Sequence, residues 1–195
     1  MDNPREAVAL SGWQPLRFEG RVVYRQVLRP RRAERWVHSN QPGRWNPSFA
    51  ALYTSLSLDV ALAERLKRTG TDVAELSVGV GEVVLERVVD LTTPEALKAV
   101  GVTLEDITLG RDYRIPHRIA TRLYADGITG LLAPAALASV SRLLPRFVVR
   151  RDEREETRET PTIGVNLVIY PANLLYLVPV RETDTFDCTL WGLSA

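Results

Sequence analysis

Three charged side chains stand where a plain structural role leaves something to explain. Arg25 lies in the run RVVYRQVL, where alternation puts Val23, Arg25 and Val27 on one face of a strand and Val22, Tyr24 and Leu28 on the other. Both faces are apolar, so Arg25 is expected to be partly buried. A buried guanidinium needs either a core carboxylate or a ligand, because unpaired burial costs several kcal/mol. Arg44 follows the turn signal Gln41-Pro42-Gly43 and precedes Trp45 and Asn46. That grouping of fork, indole and amide suits a planar or phosphorylated ligand, and equally a surface arginine beside a core tryptophan. Glu64 falls on a helical segment about 160° from Leu62, at roughly 100° per residue. It shares its face with Val60 and Arg68, so a surface Glu64–Arg68 pair and a directed carboxylate are both open.

Other chemistries find no support. His38 and His117 are the only histidines and Cys188 the only cysteine, and none has a second ligand at metal spacing, so no metal site is expected. There is no Gly-x-Ser-x-Gly and no glycine–lysine phosphate loop. Gly79-Val80-Gly81 sits in a strand-like run without the rest of a dinucleotide fingerprint. The 25 Lys and Arg balance 24 Asp and Glu, so no general field favours nucleic acid or an anionic membrane. Lysine occurs only at Lys67 and Lys98, leaving almost all the positive charge on guanidinium groups. Phosphate or carboxylate recognition and a GC-rich codon bias both account for that skew. A lone cysteine, no leader-like start and no apolar run of the roughly 20 residues a spanning helix needs lead to a cytoplasmic expectation.

The elements that must position these residues follow from periodicity and punctuation. At roughly 150 residues per domain, 195 residues predict a single domain, residues 1–195. Strands are expected at 21–28 and 50–55, then a helix capped by Ser57 with Leu58, Leu62 and Leu66 as its buried stripe. Residues 73–80 and 82–89 predict two further strands. Thr93-Pro94 and Gly101 bracket a short helix, and 116–126 another, closed by Gly127. Residues 128–133 read as a buried strand and the polar run 150–162 as a mobile loop. Final strands are expected at 163–170, 174–180 and 186–191. Helices scattered among strands without strict alternation predict a mixed α/β (α+β) class.

Read together, Gly43-Arg44-Trp45-Asn46-Pro47, Leu52-Tyr53-Thr54-Ser55 and Ala61-Leu62-Ala63-Glu64 resemble the signature of the RES domain family. Tyr24-Arg25 before them, and Gly164-Val165-Asn166-Leu167 with Tyr170-Pro171 after them, match in order, so the resemblance spans about 22–171. It implies an ADP-ribosyltransferase-like split β-sheet core with peripheral helices. It also implies a toxin of a bacterial toxin–antitoxin pair that degrades NAD at the nicotinamide–ribose bond, by hydrolysis or phosphorolysis. NAD is then substrate, with no resident cofactor. The implied partner is an Xre-type helix-turn-helix antitoxin, which would supply any DNA binding; a homo-oligomer is compatible with the sequence. Two departures stand out. The family serine that follows a proline is Ala135 here, with Ser139 and Ser141 nearby but out of register, and 150–162 resembles an insertion.

The resemblance assigns catalysis to Glu64 and Arg44, and NAD binding to Arg25, Tyr53, Trp45, Asn46 and Ser55. Nicotinamide departs as a neutral molecule, so no general acid is needed, which suits the lack of a placed histidine. Positive charge gathers on the ribose, where a fixed carboxylate is worth about 10²–10³ in rate. Arg25 and Arg44 would hold the pyrophosphate, Tyr53 would wall the nicotinamide, and Trp45 and Asn46 would shape the pocket. Two rivals share this frame: an ADP-ribosyltransferase acting on a macromolecule, and a catalytically silent binding module, which Ala135 favours.

Overall fold

A computed structural model describes residues 13–29, 31, 36–69, 76–109, 112–135, 164–174 and 180–187. Among the described residues, six strands and four α-helices run in the order β1 (Leu16–Leu28), β2 (Leu52–Ser55), α1 (Leu58–Thr69), β3 (Leu76–Asp90), α2 (Pro94–Ala99), α3 (Leu104–Thr108), α4 (Arg114–Ala125), β4 (Gly130–Pro134), β5 (Val165–Ile169) and β6 (Val180–Asp187). The class is mixed α and β, with a sheet at its centre as expected.

The strand order is β1-β2-β5-β4-β3-β6, and β1 also pairs with β3. That extra pairing curls the first five strands into a barrel-like sheet, with β6 laid along the free flank of β3. All pairings are antiparallel except β3 with β4, whose crossover carries α2, α3 and α4. β1 and β3 are in register from Leu28↔Leu76 to Arg21↔Val83, then shift before Phe18↔Leu85. Gly20 sits in that shift with φ 63°, a left-handed value that glycine adopts without strain, and it makes the bulge that bends the hairpin. The seam between β1 and β2 is narrow, paired at Tyr24↔Ser55.

Two apolar layers result. Val23, Leu52, Val83, Leu85, Leu132, Leu167 and Ile169 fill the inside of the barrel. Leu131, Ala133 and Val168, the alternate residues of β4 and β5, face outward and pack with Ile107, Ile119 and Leu123 of the helices. A smaller cluster joins Leu62 of α1 to Leu76 and Val78, with Tyr24, Leu28 and Leu58 against it.

Several elements depart from the sequence expectation. The two strands expected at 73–80 and 82–89 are one, β3, of 15 residues. Gly81 does not break it, because its role is close approach: a Cβ there would lie 2.5 Å from Val180 Cγ1. α3 was not foreseen, although Thr103 and Asp106 form a reciprocal capping box at its start. α4 begins two residues before Pro116, which its first turn accommodates. The last strand among the described residues is β6 at Val180–Asp187; of the strand expected at 186–191 only 186 and 187 are described, and they belong to β6, while a 3₁₀ turn, Pro171–Asn173, follows β5. The loop expected at 150–162, most of the strand expected at 174–180, and Ser139 and Ser141 lie outside the described residues. No described helix is long and apolar enough to cross a membrane.

Candidate active site

Glu64 is placed by α1, whose start is fixed when the Ser57 hydroxyl accepts from Val60 N at 3.3 Å. One turn before Glu64, Val60 packs on Gly164, where a Cβ would stand 2.5 Å from Val60 Cγ2. The missing side chain therefore lets α1 approach the start of β5. Asn166, two residues beyond Gly164 and on the same face of the chain, lies under Glu64 and donates from Nδ2 to Glu64 Oε1 at 3.2 Å. Ser55 is the β2 partner of Asn166, and its hydroxyl donates to Asn166 Oδ1 at 2.7 Å. Ser55, Asn166 and Glu64 thus form one chain of hydrogen bonds across β2, β5 and α1. The Arg68 side chain, the expected surface partner of Glu64, lies outside the described residues.

A second group surrounds the turn after Gly43. Trp45 is 3% exposed and belongs to the helix-packed core. Asn46 is fully buried; its Nδ2 donates to the carbonyls of Gln41 and Phe49, both at 2.9 Å. Tyr53 Oη donates to Asn46 Oδ1 at 2.8 Å and accepts from Trp45 N at 2.9 Å. Asn46 and Tyr53 therefore lock the turn. Arg44 leaves the same turn, donates from Nη1 to Ile107 O at 2.8 Å, and stacks 4.6 Å from the centre of the Tyr113 ring. His117, from α4, contacts Gly43 O through Nε2 at 2.9 Å, so that nitrogen carries the hydrogen. His117 braces the turn.

Tyr53 and Ser55 are two apart on β2 and share a face, which joins the turn group to the Glu64 group. Arg25 is placed differently. Tyr24, not Arg25, pairs with Ser55, so alternation turns Arg25 to the opposite face of β1, where its Nη1 donates to Val37 O at 2.6 Å. Ala135 is buried, and its N–H donates to Gly164 O at 2.7 Å, beside the Glu64 group. No group of residues suited to holding a metal ion occurs among the described residues.

The model of the RES domain matches residues 22–173. The chain belongs to the RES domain family. A chain of the Mycobacterium tuberculosis MbcT–MbcA toxin–antitoxin complex shares the fold of this RES domain, with a TM-score of 0.63 and 21% identity over 91% of this chain and 90% of that one. No curated protein matches the sequence.

Sequence reasoning grouped Glu64, Arg44, Arg25, Tyr53, Trp45, Asn46 and Ser55 as one site of this RES domain and did not include Asn166, which hydrogen-bonds both Ser55 and Glu64. A signal was available: Asn166 is the one polar residue in the strand Val165–Ile169, and an amide at such a position requires partners. Tyr113 and His117 carried no comparable mark, since their approach to the turn depends on where α4 docks.

Proposed function

We propose that this RES domain is the toxin of a toxin–antitoxin pair and degrades NAD by breaking its nicotinamide–ribose bond, on a sheet of ADP-ribosyltransferase type. The observation that carries the reading is a carboxylate, Glu64, held in a fixed direction by Asn166 within the family's own motif block. In the reaction the C1′–N bond breaks and its electron pair stays with nicotinamide. The ribosyl cation then takes water, which releases a proton and gives ADP-ribose, or takes phosphate.

Glu64 would stabilise the positive charge on the ribose as that bond lengthens. Arg44, braced by Ile107 O and Tyr113, would grip the pyrophosphate. The Tyr53 ring would wall the nicotinamide, whereas Arg25, turned to the opposite face of β1, takes no part in this reading. Trp45 and Asn46 would hold the turn that aims Arg44. The partner we propose is an Xre-type helix-turn-helix antitoxin that covers the site, with both proteins in the cytoplasm.

Incubating the purified chain with NAD and separating the products by chromatography tests this. Nicotinamide should appear together with ADP-ribose or its phosphate, and Glu64→Gln should slow its release by about 10²–10³. Equal rates in the two proteins would remove Glu64 from the mechanism. Label from NAD retained on macromolecules would instead assign a transferase. Ala135 favours a second reading, a silent binding module; thermal stabilisation by NAD without any turnover would establish it.

A further inference from the structure

We infer that Asn166 is the positioning residue for Glu64, and that Ser55 sets its orientation rather than contacting substrate. The inference rests on the reading that Glu64 serves the reaction, and it deepens that reading by naming what directs the carboxylate. Asn166 has two strand neighbours in register, Ser55 on β2 and Ala133 on β4, and only Ser55 carries a polar side chain. Oδ1 can only accept, so in the 2.7 Å contact the hydrogen belongs to the Ser55 hydroxyl. With Oδ1 occupied, Nδ2 is aimed at Glu64 Oε1. Turning the amide over would set its oxygen against the carboxylate, an acceptor against an acceptor.

The orientation of one amide therefore couples a hydroxyl on β2 to a carboxylate on α1. Gly164 makes the coupling geometrically available by letting Val60, one turn before Glu64, descend onto the start of β5. Asn166 acts through Glu64, and Ser55 acts through Asn166.

Steady-state kinetics on the full chain test this with Asn166→Asp and Ser55→Ala, each alone and combined with Glu64→Gln. Each single change should lower kcat by roughly 10²-fold, as misdirection of a catalytic group does, while KM for NAD stays within about twofold. In the Glu64→Gln background neither change should lower kcat further, because their effect is exerted through the lost carboxylate. Equal losses in both backgrounds, or a rise in KM alone, would overturn the inference. A readout independent of turnover accompanies this. The side-chain amide ¹⁵N resonances of Asn166, identified by their disappearance in Asn166→Asp, should shift in both Ser55→Ala and Glu64→Gln. If they stay in place in either variant, the coupling is absent. A wild-type chain that leaves NAD intact would instead overturn the proposed activity, and the amide resonances would still decide the role of Asn166. Should Asn166→Asp fail to fold, Ser55→Ala carries the kinetic test, and the resonances are assigned by backbone connectivity.

Discussion

Asn46 satisfies three hydrogen bonds inside a protein that leaves it no contact with water, and all three serve the turn that presents Arg44. Tyr53 closes the arrangement from β2. Gly43 is the residue that makes room for it: a Cβ there would stand 2.7 Å from Asn46 Oδ1 and 2.8 Å from Tyr53 Oη. Neither atom can withdraw without giving up a buried hydrogen bond. Gly43→Ala should therefore cost about 1–3 kcal/mol in urea denaturation, the range of an overpacked core. It should also weaken NAD binding as Arg44 is displaced; an unchanged urea midpoint would mean that the turn relaxes freely. In the sequence, Gly43-Arg44-Trp45-Asn46 was legible as a group, but the division of labour within it was not. Trp45 and Asn46 face inward because β2 and α4 close over them, and neither element is local to the turn.

At the scale of the element, α1 carries a tension in its first turn. Asp59 lies in its first turn, where a negative charge meets the positive end of the helix dipole. Burial nevertheless raises its pKa above the ordinary 3.8, because desolvation penalises the charged form. An acid whose folded pKa is raised burdens the folded state when ionised. The burden is full above the raised folded pKa and fades as pH falls toward 3.8. Asp59→Asn should thus unfold at a higher urea concentration than wild type at pH 7, with the gap closing near pH 3.5. A gap that widened on acidification would reverse the assignment. Element prediction from the sequence went wrong at β3 for a related reason. Gly79 and Gly81 look like punctuation, yet Gly81 is there to let Val180 of β6 come close, a contact made across about a hundred residues of chain.

Across the whole molecule, β4 and β5 belong to two cores at once. Leu132, Leu167 and Ile169 face the barrel interior, while Leu131, Ala133 and Val168 face the helices. Neither layer can loosen without disturbing strands that the other needs. Leu167→Ala should therefore cost about 2–5 kcal/mol and still give one transition, in which tryptophan emission and far-UV circular dichroism coincide. Among the described tryptophans, Trp13 and Trp45 report from the helix layer and Trp36 from the barrel layer that holds Leu167. Two separated transitions would divide the chain into independent units, against the single domain expected from its length.

The chain itself determined its membership and its chemical vocabulary: the motif block from Gly43 to Glu64, the guanidinium-rich cation set, and the lack of metal or nucleophile motifs. Periodicity also placed β2, α1, α2 and β4, and the second half of β1, close to where they stand, because those signals are local. Tertiary structure alone decided which side chains meet. Ser55 and Asn166 are 111 residues apart, and their contact exists only because β2 and β5 pair in one register. The same logic put Tyr24 rather than Arg25 beside Ser55, since side chains alternate and a slip of one residue reverses every face. Register is a property of two strands, and no single stretch of sequence contains it.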